Sequence, residues 1–299
     1  MKGDAAMTIG GSVAYTRTKS AKPKYIGSKI LKFLTILAAG ITFAVLLFLI
    51  AYILVKGIPY LNKDLFSFTY TSDNVSLVPA LINTFIMTVV SLVIAAPLGI
   101  FAAIYLVEYA KKGSRLVNVI RITAETLSGI PSIIFGLFGM VFFGNTLGLG
   151  YSILTGSLTL TLMILPLITR TTQEALKTVP DSYRHGALGI GATKWYMIRT
   201  ILLPSAMPGI LTGVILAIGR IVGESAALLF TAGSGYYLPK NLFGKVLESG
   251  GTLTIQLYLF MQKAKYNEAF GVAVVLLVIV LAINALAKYL SHRFNVETR

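Results

Sequence analysis

The 299-residue sequence contains no cysteine, only two histidines and few charged residues. Without cysteine, the chain can form neither a disulfide nor a thiolate metal site. Asp, Glu, Lys and Arg together supply 12% of the residues, about half the share expected of a soluble domain, whereas 56% of the residues are hydrophobic. This imbalance excludes an ordinary soluble domain and indicates that much of the apolar surface faces lipid.

Catalytic side chains are also scarce within the apolar runs. The two histidines, His185 and His292, both lie outside these runs, and no His-Glu-x-x-His pattern is present. A nucleophile with a neighbouring base, or a metal-dependent site, is therefore not predicted. The sequence also lacks a phosphate-binding loop of its own, so the chain is not expected to hydrolyse nucleotides. We predict no enzyme activity, no cofactor and no metal site.

Six apolar runs are each about as long as a bilayer-spanning helix, which requires about 20 residues. They are predicted to be helical, because neither strand-like alternation nor barrel-like turn spacing occurs. Residues 1–24 are polar and basic and are predicted to form a mobile cytoplasmic tail, and residues 25–299 are predicted to form one transmembrane domain. The predicted spans are 33–55, 79–107, 122–143, 152–168, 205–231 and 269–287.

Basic residues are distributed unevenly among the segments that flank these spans. Nineteen Lys and Arg residues lie before the first span, after the last span, or in the connections 108–121 and 169–204. Only six lie in the other three connections. Because cytoplasmic loops carry the excess of positive charge, the pattern predicts a multi-pass protein of the plasma (inner) membrane with both termini in the cytoplasm. The same rule explains the net charge of +15 without nucleic acid as a partner.

The connection between the fourth and fifth spans, about 170–203, is unusually long. Asp181 follows a proline and is predicted to be the N-cap of a short helix, which the glycines up to Gly191 would end. Thr193 is predicted to be the N-cap of a second helix, which Pro204 would end or kink. The result would be two short helices with a glycine turn on the cytoplasmic surface. Such a structure is either a platform for a soluble partner or an amphipathic surface hairpin.

This connection resembles the cytoplasmic coupling loop of binding-protein-dependent ABC importer permeases. The pattern of that loop is Glu-Ala-Ala, three residues, Gly, nine residues and Ile-x-Leu-Pro. The matching positions are Ala187, Gly191, Ile201, Leu203 and Pro204. His185 and Gly186 stand where the family usually has Glu and Ala. The resemblance implies a loop that docks into an ATPase subunit, here by shape and helix packing more than through the Glu.

The resemblance also implies which residues of the loop take part in docking. The residues that it implies for ATPase coupling are Tyr183, Arg184, His185, Gly186, Ala187, Gly191 and Pro204. Two further stretches, LSGIPSIIFG at 127–136 and GESAALLFTA at 223–232, resemble the permeases of phosphate importers, of the PstA type. The likeness covers about residues 30–290. It implies an all-α fold of six transmembrane helices, the type I, MetI-like importer permease fold.

Function and partners follow as expectations from the same resemblance. The chain would be the permease subunit of an ATP-driven phosphate importer and would form half of the translocation pathway. Its expected partners are a homologous permease subunit, two ATPase subunits, an external phosphate-binding protein and membrane lipid.

Arg220 and Glu224 are the charged residues of the predicted fifth span, 205–231, and the predicted third span contains Glu125. An arginine near the middle of a span is costly without a partner, and Glu224 lies one helical turn away, where the two charges could neutralise each other. The pair is therefore either a structural ion pair or an anion relay, in which the guanidinium fork matches phosphate oxygens and Glu224 weakens the attraction. Arg170, at the inner mouth of the fourth span, is a further pathway candidate or else a positive-inside anchor.

Two alternative functions remain open on the sequence. A permease for another oxyanion, such as sulfate or molybdate, would share these features, because one arginine distinguishes such ions poorly. A self-sufficient anion channel or carrier would explain the helices and the buried charges, but it would not explain the coupling-type loop.

Overall fold

The computed structural model describes residues 26–68, 76–111, 113–235 and 242–294. The predicted tail, residues 1–24, lies outside the described residues. The chain divides into two units, residues 1–50 and 51–299. Helix α1, Ile26–Gly57, begins in the first unit and ends in the second. In the first unit its large apolar side chains, such as Phe33, Ile41 and Phe43, are exposed, as expected of a helix that faces lipid or another subunit.

The described part of the second unit consists of helices and helical turns. After α1, the helices are α2 Val78–Ile104, α3 Arg115–Gly129, α4 Ser132–Gly139, α5 Ile153–Thr178, α6 Asp181–Gly189, α7 Lys194–Met197, α8 Leu203–Val222, α9 Ala226–Thr231, α10 Leu242–Val246, α11 Leu253–Gln262 and α12 Tyr266–Phe294. Three π-helical turns continue or join them: Tyr105–Tyr109 after α2, Met140–Thr146 after α4, and Ile198–Leu202 between α7 and α8.

Five of the described helical segments are long and apolar enough to cross a membrane, and α3 with α4 makes a sixth if the pair forms one span. The predicted all-α, multi-span architecture is thus confirmed. The predicted third span, 122–143, is wrong in form, because α3 and α4 are bent by 102° at Ile130–Pro131. Pro131 offers no N–H and holds Ile130 in an extended conformation with ψ 131°, which ends α3.

Helix α5 is the central helix of the second unit and packs against α2, α4 and α8. Most of its serines and threonines are buried, and most of their hydroxyls have hydrogen-bond partners, although the buried hydroxyl of Thr172 has none among the described residues. Ser157, Thr159 and Thr161 each donate a hydrogen bond of 2.8 Å to the carbonyl four residues earlier. Their polar groups are therefore satisfied inside an apolar core.

Two apolar clusters position the segments that matter for function. One cluster joins Ile104 of α2, Leu176 of α5, Ala187 of α6, Ile198 and Ile210, and so fixes the short helices α6 and α7 below the long ones. Another joins α2, α11 and α12 through Ala80, Leu253 and Val272, among others. In the same unit the last turns of α1 pack against α12, where the rings of Tyr52 and Phe270 meet edge to face at 5.7 Å.

Candidate functional site

Helix α5 is longer than predicted, and this shortens the loop that follows it. The helix continues to Thr178, so the first part of the predicted loop 170–203 is the end of a helix. Arg170 therefore lies within α5 and not just beyond the end of the span, as predicted. The reason is local: Gln173, Glu174 and Lys177 are good helix formers that let a helix continue beyond an apolar run. We use the name coupling segment for residues 179–204.

The two short helices of the coupling segment are present, with one change at the first cap. Helix α6 begins at Asp181, but its N-cap is Pro180, so the predicted capping role of Asp181 is wrong. The Asp181 carboxylate instead accepts a hydrogen bond from Arg184 at 3.1 Å. The turn at Gly191 has φ +85°, a left-handed conformation that favours glycine. Thr193 caps α7 as predicted, because its hydroxyl accepts the N–H of Tyr196 at 3.3 Å.

The second short helix does not end at Leu203, so of the two predicted effects of Pro204, an end or a kink, the end is wrong. The chain remains helical from Lys194 to Val222, through α7, the π-helical turn and α8. Pro204 lies in the first turn of α8, where a missing N–H is tolerated. The coupling segment is therefore continuous with a long apolar helix.

Most predicted docking residues of the coupling segment are exposed. Tyr183, His185, Gly186, Gly191 and Pro204 are exposed, whereas Ala187 is buried in the cluster below. Large apolar side chains beside them are exposed as well, namely Leu188, Ile190, Trp195 and Tyr196. An exposed apolar patch of this kind indicates a surface for a protein partner.

Arg184 differs from the other predicted docking residues because its guanidinium points inward. Its Nη1 and Nη2 donate hydrogen bonds of 2.8 Å to the carbonyls of Val179 and Leu176. Its Nε and Nη2 lie 3.1 and 3.0 Å from Oε1 of Glu108. Together with Asp181, these acceptors use all three guanidinium nitrogens. Removing one partner of such a buried pair typically costs about 3–5 kcal/mol.

Glu108 and Lys194 were not among the predicted site residues. Glu108 lies in the π-helical turn after α2, just beyond the predicted span, and its side chain is 6% exposed. The carbonyl of Glu108 accepts a hydrogen bond from the Lys194 ammonium, which also lies 4.8 Å from the ring centre of Tyr109. The sequence offers one signal for Glu108, its negative charge, because it is the sole acidic residue among residues 108–121.

Arg220 has a different environment from the predicted one. It lies in the last turn of α8 and not near the middle of a span 205–231, because α8 ends at Val222. Its side chain is exposed, one turn beyond the exposed Leu216 and two turns beyond Thr212. The ion pairs among the described residues are Arg170–Glu174, Arg184–Glu108, Arg184–Asp181 and Lys245–Glu248. The predicted neutralising pair between Arg220 and Glu224 is therefore not formed.

Glu224 lies in the break between α8 and α9. Its carboxylate accepts a hydrogen bond of 3.1 Å from the N–H of Ala227, the second residue of α9. Its carbonyl accepts the hydroxyl of Thr254 at 2.6 Å. Gly223 before it and Ser225 after it are poor helix formers, so the chain leaves the helix there and Glu224 is fixed by α9 and α11.

Helix α8 approaches α5 closely before it reaches Arg220. A Cβ atom at Gly213 would lie 2.0 Å from the hydroxyl of Thr171, and one at Gly209 would lie 2.6 Å from Cβ of Ala175. Only glycine fits at such a crossing of helices. Gly209 and Gly213 therefore form a packing face against α5. Arg220 lies beyond that contact and remains uncovered.

Arg170 borders a polar cleft between α3 and α5. The cleft has a volume of about 200 Å³, and its charged lining residues are Arg121, Glu125, Arg170, Glu174 and Lys177. Arg170 forms an exposed ion pair with Glu174 at 3.1 Å. Arg220 and Glu224 do not line this cleft, so the structure does not bring the three predicted pathway residues into one site.

Comparisons with known proteins give the family and the fold. The family described as binding-protein-dependent transport system inner membrane component matches residues 95–296. The chain is 39% identical over 204 residues to the probable ABC transporter permease protein YqgI of Bacillus subtilis, covering 66% of this chain and 67% of that protein. It is 38% identical over 190 residues to the phosphate transport system permease protein PstA of Xylella fastidiosa strain Temecula1, covering 63% and 66%.

A solved structure supports the same architecture. A chain in the structure of a bacterial alginate ABC transporter, in complex with a periplasmic protein bound to an alginate pentasaccharide, superimposes with a TM-score of 0.62 at 20% identity. The match covers 90% of this chain and 98% of that chain. The chain belongs to the family of binding-protein-dependent transport system inner membrane components.

Proposed function

We propose that this chain is the permease subunit of an ATP-driven phosphate importer in the plasma membrane. Permeases named for phosphate transport are among its relatives, including the protein from Xylella fastidiosa and a PstA 1 protein of Mycobacterium tuberculosis that is 35% identical over 208 residues. The observation that carries the proposal is Arg220, a guanidinium exposed on α8 without an ion pair among the described residues. An unsatisfied guanidinium fork matches the oxygens of phosphate.

Arg220 is proposed to act as a relay for the anion. A translocation site must attract the ion and then release it, so its attraction has to be limited. Glu224 lies four residues later and carries the opposite charge, which lowers the local positive potential without occupying the donors of Arg220. A homologous permease subunit would complete the pathway by facing the exposed residues Thr212, Leu216 and Arg220 of α8. Arg170 and its cleft are a second candidate, for the exit of the anion.

The coupling segment is proposed to dock into ATPase subunits, which hydrolyse ATP in place of this chain. Its exposed apolar patch around Gly191 offers a surface for that contact. Two ATPase subunits would serve the two permeases, and an external phosphate-binding protein would deliver the ion. Closure of the ATPases would displace α6 and α7, and the continuous helix from Lys194 to Val222 would carry that displacement into the membrane.

Both termini are proposed to lie in the cytoplasm, from the excess of basic residues in the connections on that side. Ser182 on α6 and Ser234 after α9 are exposed. Single cysteines at these positions, in a chain that has none of its own, are expected to react with a membrane-impermeant thiol reagent from opposite sides. Reaction from the same side would contradict the orientation.

The substrate is tested by reconstituting the permease with its partner subunits in proteoliposomes that hold the binding protein. We expect uptake of radiolabelled phosphate that requires ATP and that excess unlabelled phosphate inhibits. Absence of phosphate uptake, together with ATP-dependent uptake of radiolabelled sulfate or molybdate, would assign the chain to another oxyanion. Uptake that persists without ATP and without ATPase subunits would identify a self-sufficient channel or carrier.

A further inference from the structure

Glu108 is an acidic side chain buried at the end of an otherwise apolar helix. It lies in the π-helical turn that follows α2, and its side chain is 6% exposed. A carboxylate buried in this way needs a cation, and Arg184 of α6 supplies it with two contacts of 3.0 and 3.1 Å to one oxygen. Residues in π-helical turns within α-helices often have functional roles.

The cation that pairs with Glu108 is also attached to α5. Arg184 donates to the carbonyls of Leu176 and Val179, which are free acceptors at the C-terminal end of α5. One guanidinium therefore joins three helices, α2, α5 and α6. A second tie comes from α7, where the Lys194 ammonium contacts the carbonyl of Glu108 and the ring of Tyr109.

The connections of α6 explain why such a joint matters. Helix α6 follows α5 after two residues, so a displacement of α6 reaches α5 through the backbone. Helix α2 is about 75 residues away in sequence, and a displacement of α6 reaches it only across space. Apolar contacts in the cluster that contains Ile104 and Ala187 keep α2 and α6 together, but such contacts do little to fix the orientation of one helix relative to the other. A hydrogen-bonded ion pair fixes both distance and orientation.

We propose that the Arg184–Glu108 ion pair transmits movement of the coupling segment to α2, and that Glu108 is a positioning residue for coupling. Arg184 therefore acts inside this subunit and not as a contact of the ATPase. The proposal rests on the proposed function, because it assumes that an ATPase displaces α6. It adds a residue, Glu108, and a route through α2 to that function.

The test is Glu108→Gln in the assembled transporter, reconstituted in proteoliposomes. Glutamine keeps the shape of the side chain and can accept one hydrogen bond, but it removes the charge that holds Arg184. The measured quantity is the amount of ATP hydrolysed per phosphate taken up. We expect less complex to assemble, because the change leaves the buried Arg184 without its main counter-ion. ATP hydrolysis per assembled complex should remain near that of the unaltered complex, whereas uptake per complex falls about 10-fold, so that the ratio rises about 10-fold.

The matched control is Asp181→Asn, which removes the other acidic partner of the same arginine. The Asp181 side chain is 82% exposed, and we expect the ratio to stay within about twofold of the unaltered complex because exposed pairs contribute little. Glu108→Asp retains the charge on a shorter side chain and is expected to give an intermediate ratio. This partial rescue separates a role of the charge from a role of packing.

Two results would overturn the proposal. One is an unchanged ratio in Glu108→Gln. The other is a loss of assembled complex that accounts for the entire loss of uptake, which would assign Glu108 to folding alone. Failure of the proposed function is distinguishable from both, because the unaltered complex would then show no ATP-dependent phosphate uptake.

Discussion

Two arginines of this chain, Arg184 and Arg220, have opposite environments. The guanidinium of Arg184 is held by two carboxylates and two carbonyls, and its side chain is 16% exposed. The guanidinium of Arg220 is exposed on α8 and takes part in none of the ion pairs among the described residues. Both were predicted to be functional, one for docking and one for substrate, but their surroundings suit different tasks.

The difference lies in the donors that remain available. A guanidinium has five N–H donors in a rigid fork. When protein acceptors fill them, as at Arg184, the side chain fixes the helices around it and has no donors left for a ligand. When they are unfilled, as at Arg220, the side chain can bind an anion and exchange it for another. We therefore expect substitutions of the two arginines to have different effects. Substitution of Arg184 should impair coupling or assembly, and substitution of Arg220 should impair transport alone.

The largest effect is expected for Arg220→Gln. Glutamine keeps much of the volume and some hydrogen-bonding capacity, but it removes the positive charge and the fork. Phosphate uptake should fall by at least about 100-fold, whereas assembly and ATP hydrolysis continue, because no described residue depends on Arg220 for an ion pair. Uptake by proteoliposomes is measured together with the yield of purified complex.

Arg220→Lys is the matched control for that substitution. Lysine keeps the charge but loses the planar fork, so uptake should be intermediate between those of the unaltered chain and Arg220→Gln. Equal and parallel loss of uptake and of complex in both variants would show that Arg220, like Arg184, stabilises the fold.

A smaller effect is expected for Gly191→Val in the turn of the coupling segment. The φ of +85° costs about 1–2 kcal/mol for a residue with a Cβ, and more for a β-branched one. No atom lies within 4 Å of the added Cβ, so the strain comes from the backbone alone. We expect ATP hydrolysis to become uncoupled from uptake. Gly189→Ala, in open space and without a positive φ, is the control and should transport normally. Full transport by Gly191→Val would refute the proposed role of the segment.

The smallest effect is expected for His185→Ala. His185 is the neighbour of Arg184, but it is exposed and stands where the family usually has Glu. If docking depends on shape and helix packing, co-purification of the ATPase should change by less than about twofold, since exposed polar contacts contribute little. Loss of the ATPase from His185→Ala, measured by subunit stoichiometry after purification, would show that this position still carries the docking contact.

The coupling segment was predictable because its signals are local. A proline before α6, a glycine in the turn and a threonine before α7 act through their own backbone and side chains, and the Gly191 and Thr193 predictions are confirmed. The two long-range features were not predictable in this way. The Arg184–Glu108 pair joins residues 76 positions apart, and the inward direction of Arg184 depends on carbonyls left free at the end of α5.

The positions at which helices break within the apolar runs were likewise only partly predictable from local signals. Pro97, Pro166 and Pro208 lie inside continuous helices, whereas Pro131 coincides with a bend of 102°. Proline alone therefore does not decide where a span breaks. The break after α8 contains no proline, and Glu224 is fixed there by hydrogen bonds with α9 and Thr254. The apolar pattern predicts a helix through this stretch, and the predicted pair of Arg220 with Glu224 is wrong for that reason.

The central claim is that Arg220 serves the substrate and does not stabilise the fold as half of an ion pair. The double variant Arg220→Gln, Glu224→Gln tests it most directly, because the amide oxygen of glutamine can still accept the N–H of Ala227. We expect ATP-dependent phosphate uptake by the double variant to remain as low as in Arg220→Gln, with normal yield of complex and normal ATP hydrolysis. Recovery of uptake in the double variant would mean that the two charges only balance each other, and would contradict the account.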